Sequence, residues 1–452
     1  MKIACVGGGP AGLYFAIAAK LRDADREITV LERDPRGATY GWGVGYWDDM
    51  LDLLYLTDPV SARAVRRAST LWKDRQIRIG GAVAHLSRYG FAIQRAAFLE
   101  LLAERAADLG VRVEYDHPVE DLAELADADL IVGADGAGSS IRQLLGDRFG
   151  TQVRTGANPY IWLGTDKVFD SFVFSFEETD AGWIWFYAYP SSDIVSTCVV
   201  ECSEATWHGL GLDRREEADG LRLLEKIFAG PLEGHSLISR ARGDSARWLR
   251  FNEITNRTWG HENVVLIGDA AHTTHYTLGS GTRLAVIDAA ELVRSLDDFS
   301  GDLRAALQDF DDRARPNLGR IQALARRSMD WYEHADEHLN GSSPMEAAFA
   351  MVGRCSPRPP RGFPVFRLLQ SPVLRRLHTG IATVHRWHLA ARRGEILGLP
   401  AWHPGHPPAG RGRARPRDTG QAWLDVPPGG RRIARDREGL PVLAGRSWPA
   451  AK

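Results

Sequence analysis

The stretch KIACVGGGPAGLYFAIA, residues 2–18, decides the fold. Its first five residues form an apolar run that predicts a short buried strand, and a glycine-rich turn follows at residues 7–12. Residues 13–21 are rich in alanine and leucine and predict a helix, and residues 27–31 predict a second strand that ends at Glu32. Strand, turn, helix and strand in this order make a βαβ unit, which indicates an α/β fold.

The turn has the spacing Gly7-x-Gly9-x-x-Gly12 between strand and helix, which is typical of a dinucleotide site. The first glycine permits a tight turn, the second lets the backbone approach a pyrophosphate, and the third allows close packing of helix and strand. The helix N-terminus offers free N–H groups to phosphates, and Glu32 can accept hydrogen bonds from ribose hydroxyls. A purely structural glycine turn is the alternative. The residues predicted to bind the dinucleotide here are Gly7, Gly9, Pro10, Ala11, Gly12, Glu32 and Arg33.

Two later aspartates favour FAD over NAD as this dinucleotide. Asp135, followed by Gly136, and Asp269, preceded by Gly268, each stand at the end of an apolar strand pattern. An aspartate in this position can bind a ribityl hydroxyl, while the next helix points its N-terminus at phosphate. Capping of that helix is the alternative for each aspartate. Backbone N–H groups that could face the flavin ring are predicted before the following helix, at Gly279, Ser280, Gly281 and Thr282.

The composition is that of an ordinary globular protein. The 452 residues are enough for two or three domains, with 44% hydrophobic and 25% charged residues. A net charge of -2 gives no reason to expect nucleic acid or an anionic membrane as a partner. The four cysteines lack metal-ligand spacing, so we expect reduced thiols and no metal site. Without a signal peptide or a bilayer-length apolar run, we expect a soluble cytoplasmic protein, either a monomer or a homodimer.

Residues 159–202 change the pattern to alternating apolar and aromatic residues, which predicts three or four antiparallel strands. The predicted fold is therefore an α/β Rossmann-like FAD-binding domain with an inserted antiparallel β-sheet substrate domain and a helical C-terminal region. Residues 41–50 are expected to form an ordered loop. The predicted division of the chain is FAD binding in 1–70, 91–155 and 256–300, substrate-domain strands in 71–90, the substrate β-sheet in 156–255, a helical region in 301–352, and an arginine-, proline- and glycine-rich extension in 353–452, with one or two helices within 364–399 and a low-complexity loop at 403–432.

The three nucleotide motifs, in this order and spacing, resemble the FAD-dependent aromatic hydroxylases of the para-hydroxybenzoate hydroxylase fold over residues 1 to about 335. The chain looks most like the salicylyl-CoA and aminobenzoyl-CoA hydroxylases and the violacein-pathway hydroxylases of tryptophan derivatives. The segments that carry this closer resemblance are Tyr40-Gly-Trp-Gly-Val44, Asn158-Pro-Tyr-Ile-Trp-Leu-Gly-Thr165, Ser196-Thr-Cys-Val-Val-Glu-Cys202 with Trp207, Tyr276-Thr-Leu-Gly-Ser-Gly-Thr282, and Trp331-Tyr-Glu333.

The resemblance implies a reaction in which NADH or NADPH reduces FAD, O2 forms a flavin C4a-hydroperoxide, and an electron-rich aromatic ring takes one oxygen atom. It also implies residue roles. Glu32 would bind the adenosine ribose, Arg95 the pyrophosphate or ribityl chain, Asp135 the pyrophosphate groove, and Asp269 the ribityl chain. Trp42 would lie beside the flavin ring. For Arg95, a solvated arginine at a helix start is the alternative.

The residues that would contact the substrate are predicted with alternatives. Alternating aromatics on the inserted sheet, together with an aromatic of the 41–50 loop, could line a pocket for a ring, and aromatic core packing is the alternative. These residues are Trp183, Trp185, Tyr187 and Tyr46. His272 and His275 lie beside the flavin loop and could act as acid or base, with an ordinary hydrogen-bonded histidine as the alternative for each.

The predicted substrate is an aromatic acid of salicyl or aminobenzoyl type, linked to CoA or to a carrier protein. Basic residues between 353 and 435 could surround the mouth for such a substrate, and a solvated tail is the simpler interpretation. An indole substrate derived from tryptophan is one alternative. Flavin-dependent halogenation is another, because Trp183-Ile-Trp185 partly matches a halogenase motif. A non-catalytic FAD-binding protein is the third.

Overall fold

The computed structural model describes residues 1–39, 41–240, 245–356 and 362–395, together with three short strands near the C-terminus. Tyr40 and the loop predicted at 403–432 lie outside the described residues. The strands in chain order are β1 Lys2–Val6, β2 Glu27–Leu31, β3 Gly43–Tyr46, β4 Thr70–Trp72, β5 Arg75–Ile79, β6 Ala82–His85, β7 Gly90–Gln94, β8 Arg112–Glu114, β9 Leu130–Gly133, β10 Gln152–Thr165, β11 Phe172–Thr179, β12 Gly182–Pro190, β13 Ser196–Cys202, β14 Leu237–Ile238, β15 Leu249–Thr255, β16 Gly260–His261, β17 Val264–Leu266, β18 Ala434–Arg435, β19 Pro441–Leu443 and β20 Arg446–Ser447.

The helices follow the periodic segments of the sequence. They are α1 Pro10–Arg22, α2 Asp48–Thr57, α3 Pro59–Arg67, α4 Arg95–Asp108, α5 Ser140–Leu144, α6 Glu204–Gly209, α7 Glu217–Ile227, α8 Ala229–Leu232, α9 Gly281–Asp298, α10 Leu303–Glu333, α11 Ala335–Leu339, α12 Pro344–Val352, α13 Phe363–Leu369 and α14 Pro372–Arg392. Short 3-10 turns precede α9 at Gly268–Ala270 and Tyr276–Leu278.

A six-stranded, mostly parallel sheet has the order β16-β17-β9-β1-β2-β8. β1 lies between β2 and β9, with Ile3 opposite Ile28 on one side and Leu130 on the other. Helix α1 packs against α4 and α9, so these strands are buried and their sequences are nearly continuous apolar runs. Because β1, β9 and β17 are parallel neighbours, the turns that follow them meet at one edge of the sheet.

A second sheet has the order β14-β10-β13-β12-β11-β5-β6, with β15 also paired to β10. Strands β10 to β13 are antiparallel, as their alternating pattern predicts, whereas β11 and β5 run parallel. Two chain segments form this second sheet: β5 and β6 lie between β2 and β8, and β10 to β15 lie between β9 and β17 of the parallel sheet. This architecture, followed by the helices from α9 onward, confirms the predicted fold class.

A small third sheet corrects the prediction of an ordered loop at residues 41–50. Strand β3 lies there and pairs with β7 in a sheet of order β3-β7-β4, and α2 begins at Asp48. Gly43 pairs with Gln94, whose position in the sequence is remote. The strand was missed because its pairing partner is not local and its own sequence is short and glycine-rich.

The region beyond residue 353 contains α13 and α14, which agrees with one or two helices expected within 364–399. The interpretation of this region as a solvated tail is wrong for Arg393, which follows α14 and is 4% exposed. Its guanidinium donates to Asp48 at 2.8 Å and to Asp52 at 2.9 Å, both on α2, and also to Glu395. The end of α14 is therefore tied to α2.

No helix among the described residues is long and apolar enough to cross a membrane. In the same residues, no cluster of His, Cys, Asp and Glu side chains is arranged to hold a metal ion.

Candidate active site

The glycines in the turn between β1 and α1 differ in how much space the surrounding protein leaves for a side chain. Gly7 has φ +110°, and a Cβ there would lie 2.4 Å from the carbonyl oxygen of Ala134. A Cβ on Gly12 would lie 2.1 Å from the carbonyl oxygen of Gly7. Around Gly9, in contrast, no heavy atom lies within 4 Å of an added Cβ. The packing of the protein itself requires Gly7 and Gly12, whereas Gly9 faces open space at the N-terminus of α1.

Glu32 is held next to this turn at the end of β2. Its Oε2 accepts a hydrogen bond from the Gly8 N–H at 2.6 Å, and its Oε1 accepts one from the Asp34 N–H at 3.0 Å. The residue is half-buried, so an oxygen lone pair can still face a ligand at the turn. Arg33 is exposed and lies 3.7 Å from the carboxylate of Asp34.

Asp135 lies in the turn after β9, and only one of its two carboxylate oxygens accepts hydrogen bonds from the described residues. Its Oδ2 accepts hydrogen bonds from the Ser140 hydroxyl at 3.0 Å and the Ile141 N–H at 3.1 Å, so it does contact the start of α5. Its Oδ1 is buried and has no hydrogen-bond partner within the described part of the chain. A buried oxygen without a partner is costly and indicates a place for an outside donor. Gly136, which follows, has φ +79°.

Asp269 and Arg95 lie on the walls of a cleft. Surrounding protein raises the pKa of Asp269 through burial, against the opposing effects of His272 and Arg95, yet the residue is exposed to solvent. Burial lowers the pKa of Arg95, and the nearby Asp269 and Tyr189 oppose that shift. A group that is surrounded by protein and still open to solvent must line a deep, accessible depression. Arg95 is half-buried, unlike the solvated arginine of the alternative.

The loop before α9 lies beside the same cleft as Asp269. Gly279 is exposed, has φ +62°, and approaches the Trp47 ring, while the Ser280 hydroxyl is 2.9 Å from that of Thr274. Helix α9 begins at Gly281, where an added Cβ would lie 4.0 Å from Oδ1 of Asp269. Thr282 is half-buried in the first turn of α9. The unpaired N–H groups of this helix N-terminus therefore lie next to Asp269.

The three predicted segments converge. A Cβ on Gly268 would lie 2.8 Å from Cβ of Ala11, which places the turn after β17 against the start of α1, beside Pro10. The turn after β9 contacts Gly7 in the same way. Two helix N-termini, the free Oδ1 of Asp135, and the open space at Gly9 fit the phosphates and hydroxyls of a dinucleotide. The donor and acceptor set therefore fits FAD.

Arg142 joins two of these segments and was not predicted. Its buried guanidinium donates to the Ala270 carbonyl at 2.7 Å and to the Ala137 carbonyl at 2.5 Å. It thereby fixes the turn after β9 to the turn after β17. The sequence gives no signal for this role, because an arginine in a short helix is usually solvated.

The predicted aromatic residues separate into different places. Trp183 donates from Nε1 to Asn340 Oδ1 at 2.8 Å, and Trp185 stacks on Tyr332 at 5.7 Å between ring centroids, so both contact the region of α10 and α11. Tyr187 contacts Tyr276 of the loop before α9, with 6.2 Å between ring centroids. Only the last of these contacts reaches the loop, and all three sheet aromatics are buried.

Tyr46 and Trp42 pack against different parts of the protein. Tyr46 is buried in β3, stacks on Phe91, and bonds through its hydroxyl to Ser69 at 2.6 Å. It belongs to the core of the parallel-sheet domain and not to the aromatic group of the second sheet. Trp42 packs on Gly164 of β10, where an added Cβ would lie 2.7 Å from the indole.

The two predicted acid–base histidines are buried and hydrogen-bonded. His272 Nε2 is 2.7 Å from Oδ2 of Asp288, which also accepts from the Gly268 N–H at 2.9 Å. His275 Nδ1 is 2.8 Å from Oγ1 of Thr277, and burial lowers its pKa to about 3. These contacts favour the structural alternative for both: His275 is neutral and enclosed, which makes it a poor proton donor near neutral pH, and His272 is buried against Asp288.

Arg354 fixes the loop before α9 and is a further residue that was not predicted. Its Nη2 donates to the Thr277 carbonyl at 3.0 Å and its Nε to the Ser328 hydroxyl at 2.9 Å. The Ser328 hydroxyl is in turn 2.8 Å from that of Thr277. Arg354 lies in the C-terminal extension, residues 353–452, where no local sequence pattern predicts a role for it.

Replacing Arg354 by methionine is expected to loosen this loop, because a charge-assisted hydrogen bond contributes about 1.5–3 kcal/mol. We expect FAD to dissociate at least about fivefold faster, since about 1.4 kcal/mol corresponds to a factor of ten. Stopped-flow dilution of the FAD-loaded protein measures this rate. Arg367→Met, at an exposed arginine of α13, is the control and should not change it. An unchanged rate in Arg354→Met would contradict the loop-holding role.

Known proteins resemble the chain over most of its length. The FAD binding domain family matches residues 82–310. Salicyloyl-CoA 5-hydroxylase of a Streptomyces species is 37% identical over 368 residues, which cover 79% of this chain and 70% of that protein. The 3-hydroxy-4-methyl-anthranilyl-[aryl-carrier protein] 5-monooxygenase of Streptosporangium sibiricum is 38% identical over 337 residues, which cover 74% of this chain and 89% of that protein.

Solved structures agree on the fold. The crystal structure of 2-methyl-3-hydroxypyridine-5-carboxylic acid oxygenase matches with a TM-score of 0.62 and 22% identity, and the match covers 77% of this chain and 96% of that one. The resemblance inferred from the sequence motifs is thus confirmed, and with it the prediction of FAD as cofactor. The chain belongs to the FAD binding domain family and is an FAD-dependent aromatic monooxygenase.

Proposed function

We propose that this protein hydroxylates the ring of a salicyl- or aminobenzoyl-type acid linked to CoA or to a carrier protein, with electrons from NADH or NADPH and oxygen from O2. The observation that carries the proposal is the convergence of three chain segments on one cleft that has an aromatic side. Two relatives, at 37% and 38% identity, are named for a CoA thioester and for a carrier-linked aromatic acid. We infer a monomer or a homodimer as the working form.

We propose that the cofactor is held by the parallel-sheet part of the chain, residues 1–70, 91–155 and 256–300. Glu32 would accept from the adenosine ribose, and the N-terminus of α1 with the open Gly9 would bind the pyrophosphate. Asp135 Oδ1 and Asp269 would accept from hydroxyls of the chain between phosphate and flavin. The N-terminus of α9, at residues 279–282, would face the flavin ring and stabilise negative charge on it. Bound FAD supplies the exchange of electrons with nicotinamide and the activation of O2.

The residues of the second sheet bind and orient the substrate ring in this proposal. Tyr160 and Tyr276 have ring centroids 4.4 Å apart, and Tyr187 lies 6.2 Å from Tyr276. The charge of Asp269 contributes to the raised pKa of Tyr160, which supports a position of this aromatic group near the cofactor cleft. A wall of three rings can stack against a substrate ring, exclude water, and keep the reacting carbon in a fixed position.

The test is a comparison of substrates with the FAD-loaded protein. We expect salicyloyl-CoA or an aminobenzoyl-CoA to accelerate NADH or NADPH oxidation at least about tenfold more than the free acids, because CoA contacts outside the pocket contribute binding energy. The hydroxylated thioester should appear in the product with oxygen derived from O2. Acceleration by free acids or by tryptophan and indoles alone would overturn the substrate proposal, and chloride-dependent halogenated product would overturn the reaction type.

A further inference from the structure

A buried carboxylate in the second sheet joins the aromatic wall to the rest of the protein. Glu201 of β13 is 1% exposed. Its Oε1 accepts a hydrogen bond from Asn158 Nδ2 at 2.9 Å, and its Oε2 accepts one from the Tyr276 hydroxyl at 2.8 Å. Asn158 also donates to the backbone carbonyl of Tyr332 at 3.2 Å. Glu201 and Asn158 together therefore link β10, β13, α10 and the loop before α9.

Glu201 is an unusual residue for this position. The neighbouring β13 residues are apolar or small, and no arginine, lysine or histidine of the described residues forms an ion pair with it. The indole N–H of Trp185 lies near the carboxylate without completing a hydrogen bond. Burial raises the pKa of Glu201 to about 7, although the hydrogen bonds from Asn158 and Tyr276 oppose the shift. Burying a carboxylate without a neighbouring cation costs folding free energy. A purely structural role in this strand would not require a carboxylate.

The partner of this carboxylate stands where the cleft and the flavin loop meet. Tyr276 is half-buried, and its ring contacts Tyr160 and Tyr187 of the aromatic wall. It is also the first residue of the 3-10 turn that leads to Gly279 and the start of α9. The orientation of this ring therefore affects both the wall and the loop, and its hydroxyl hydrogen bond with Glu201 fixes that orientation.

We propose that Glu201 is a positioning residue: as a carboxylate it holds the Tyr276 ring in the wall of the cleft, and protonation of Glu201 releases the ring and the loop behind it. This inference rests on the proposed function in so far as the wall orients an aromatic substrate. The mechanism needs no covalent step. An ionised Glu201 accepts from both of its donors, whereas a protonated one donates its O–H to the Tyr276 hydroxyl, which must turn its own O–H away. The charge-assisted hydrogen bond that fixes the ring is then replaced by a weaker neutral one.

The inference predicts a dependence on pH. Glu201 is ionised above about pH 7 and neutral below it, so binding of an aromatic thioester should weaken as pH falls through 7. The surrounding phenols have pKa values raised by burial, and His275 beside Tyr276 has its pKa lowered to about 3, so these groups keep one protonation state between pH 5 and 9. The titratable groups that face Glu201 and Tyr276 are Tyr160, Tyr187, Cys202, His275, Tyr332 and Glu333.

The experiment compares Glu201→Gln, Tyr276→Phe and the double variant in the FAD-loaded protein, with salicyloyl-CoA as the probe. Each single variant should raise KM about tenfold, and the double variant should be no worse than either, because the two residues act as one unit. The rise of kcat/KM with pH near 7 should be lost in both. Glu177→Gln is the matched control, since this half-buried carboxylate of β11 accepts from the Ser175 hydroxyl at 3.1 Å and not from Tyr276.

A second readout needs no substrate. The visible spectrum of the bound flavin should change in one step near pH 7 in the unaltered protein and not in Glu201→Gln, with FAD content and Tm as checks of the fold. A step that persists in Glu201→Gln, or additive effects of the two single variants, would overturn the inference. A further outcome is that the spectral step is lost in Glu201→Gln as expected while no aromatic thioester stimulates NADH or NADPH oxidation. In that case the proposed function fails, and the coupling of Glu201 to the loop stands.

Discussion

Gly9→Ala is expected to fold normally and to bind FAD at least about tenfold more weakly, whereas Gly12→Ala is expected to destabilise the protein itself. An added Cβ at Gly9 meets nothing within 4 Å, and its φ of -76° suits any residue. The methyl group would occupy space that we propose the pyrophosphate approaches, and a loss of about 1.4 kcal/mol corresponds to the tenfold effect. At Gly12 the Cβ would lie 2.1 Å from a backbone oxygen, so the backbone must move.

The cost at Gly12 should reach about 3 kcal/mol, the upper range for forced overpacking. Thermal unfolding of the FAD-free protein measures this cost, and titration with FAD measures the effect at Gly9. Gly319→Ala is the control, because that glycine lies in α10 and nothing is within 4 Å of an added Cβ. This variant protein should be slightly more stable than the unaltered one. Full FAD affinity in Gly9→Ala would show that the phosphates do not approach this turn.

Arg393→Met is expected to lower the free energy of unfolding by about 3–5 kcal/mol, the usual cost of removing one partner from a buried ion pair. Without the guanidinium, the carboxylates of Asp48, Asp52 and Glu395 lose the cation that they share. Burial already raises the pKa of Glu395 against the effect of Arg393, so the loss of Arg393 should raise it further. The destabilisation should therefore shrink as the pH falls and Glu395 becomes protonated.

Urea unfolding of Arg393→Met at pH 8 and pH 5 tests this expectation. Arg376→Met, at an exposed arginine of α14, should change the stability by less than about 0.5 kcal/mol. A loss in Arg393→Met that is the same at both pH values would mean that packing of the long side chain, and not its charge, ties α14 to α2.

The local parts of the fold could be predicted from the sequence. The βαβ unit is visible because glycine spacing and helical periodicity are local signals, although α1 begins at Pro10 and not at Leu13. The strands of 159–202 follow from their alternating pattern. β3 and the parallel pairing of β5 with β11 could not be predicted, because pairing over about 100 residues leaves no mark in either segment.

The candidate site divides in the same way. The motif residues follow from chemistry that needs a glycine, a helix N-terminus or an acid at a fixed spacing. Arg142, Glu201 and Arg354 each depend on a partner that is remote in the chain, at separations of 128, 75 and 77 residues. Each looks in the sequence like an ordinary charged residue, and only its hydrogen bonds in the folded protein reveal its role.

The strand order of the parallel sheet has a consequence for biosynthesis. β1 sits in the middle of the sheet, and its neighbour β9 pairs on the far side with β17, which ends at Leu266. A nascent chain can pair β1 with β2 and β9, but the outer edge of β9 stays uncovered until more than half of the polypeptide has left the ribosome. We expect release of N-terminal fragments that stop before residue 266 to yield aggregates, since their β9 edge has no cover.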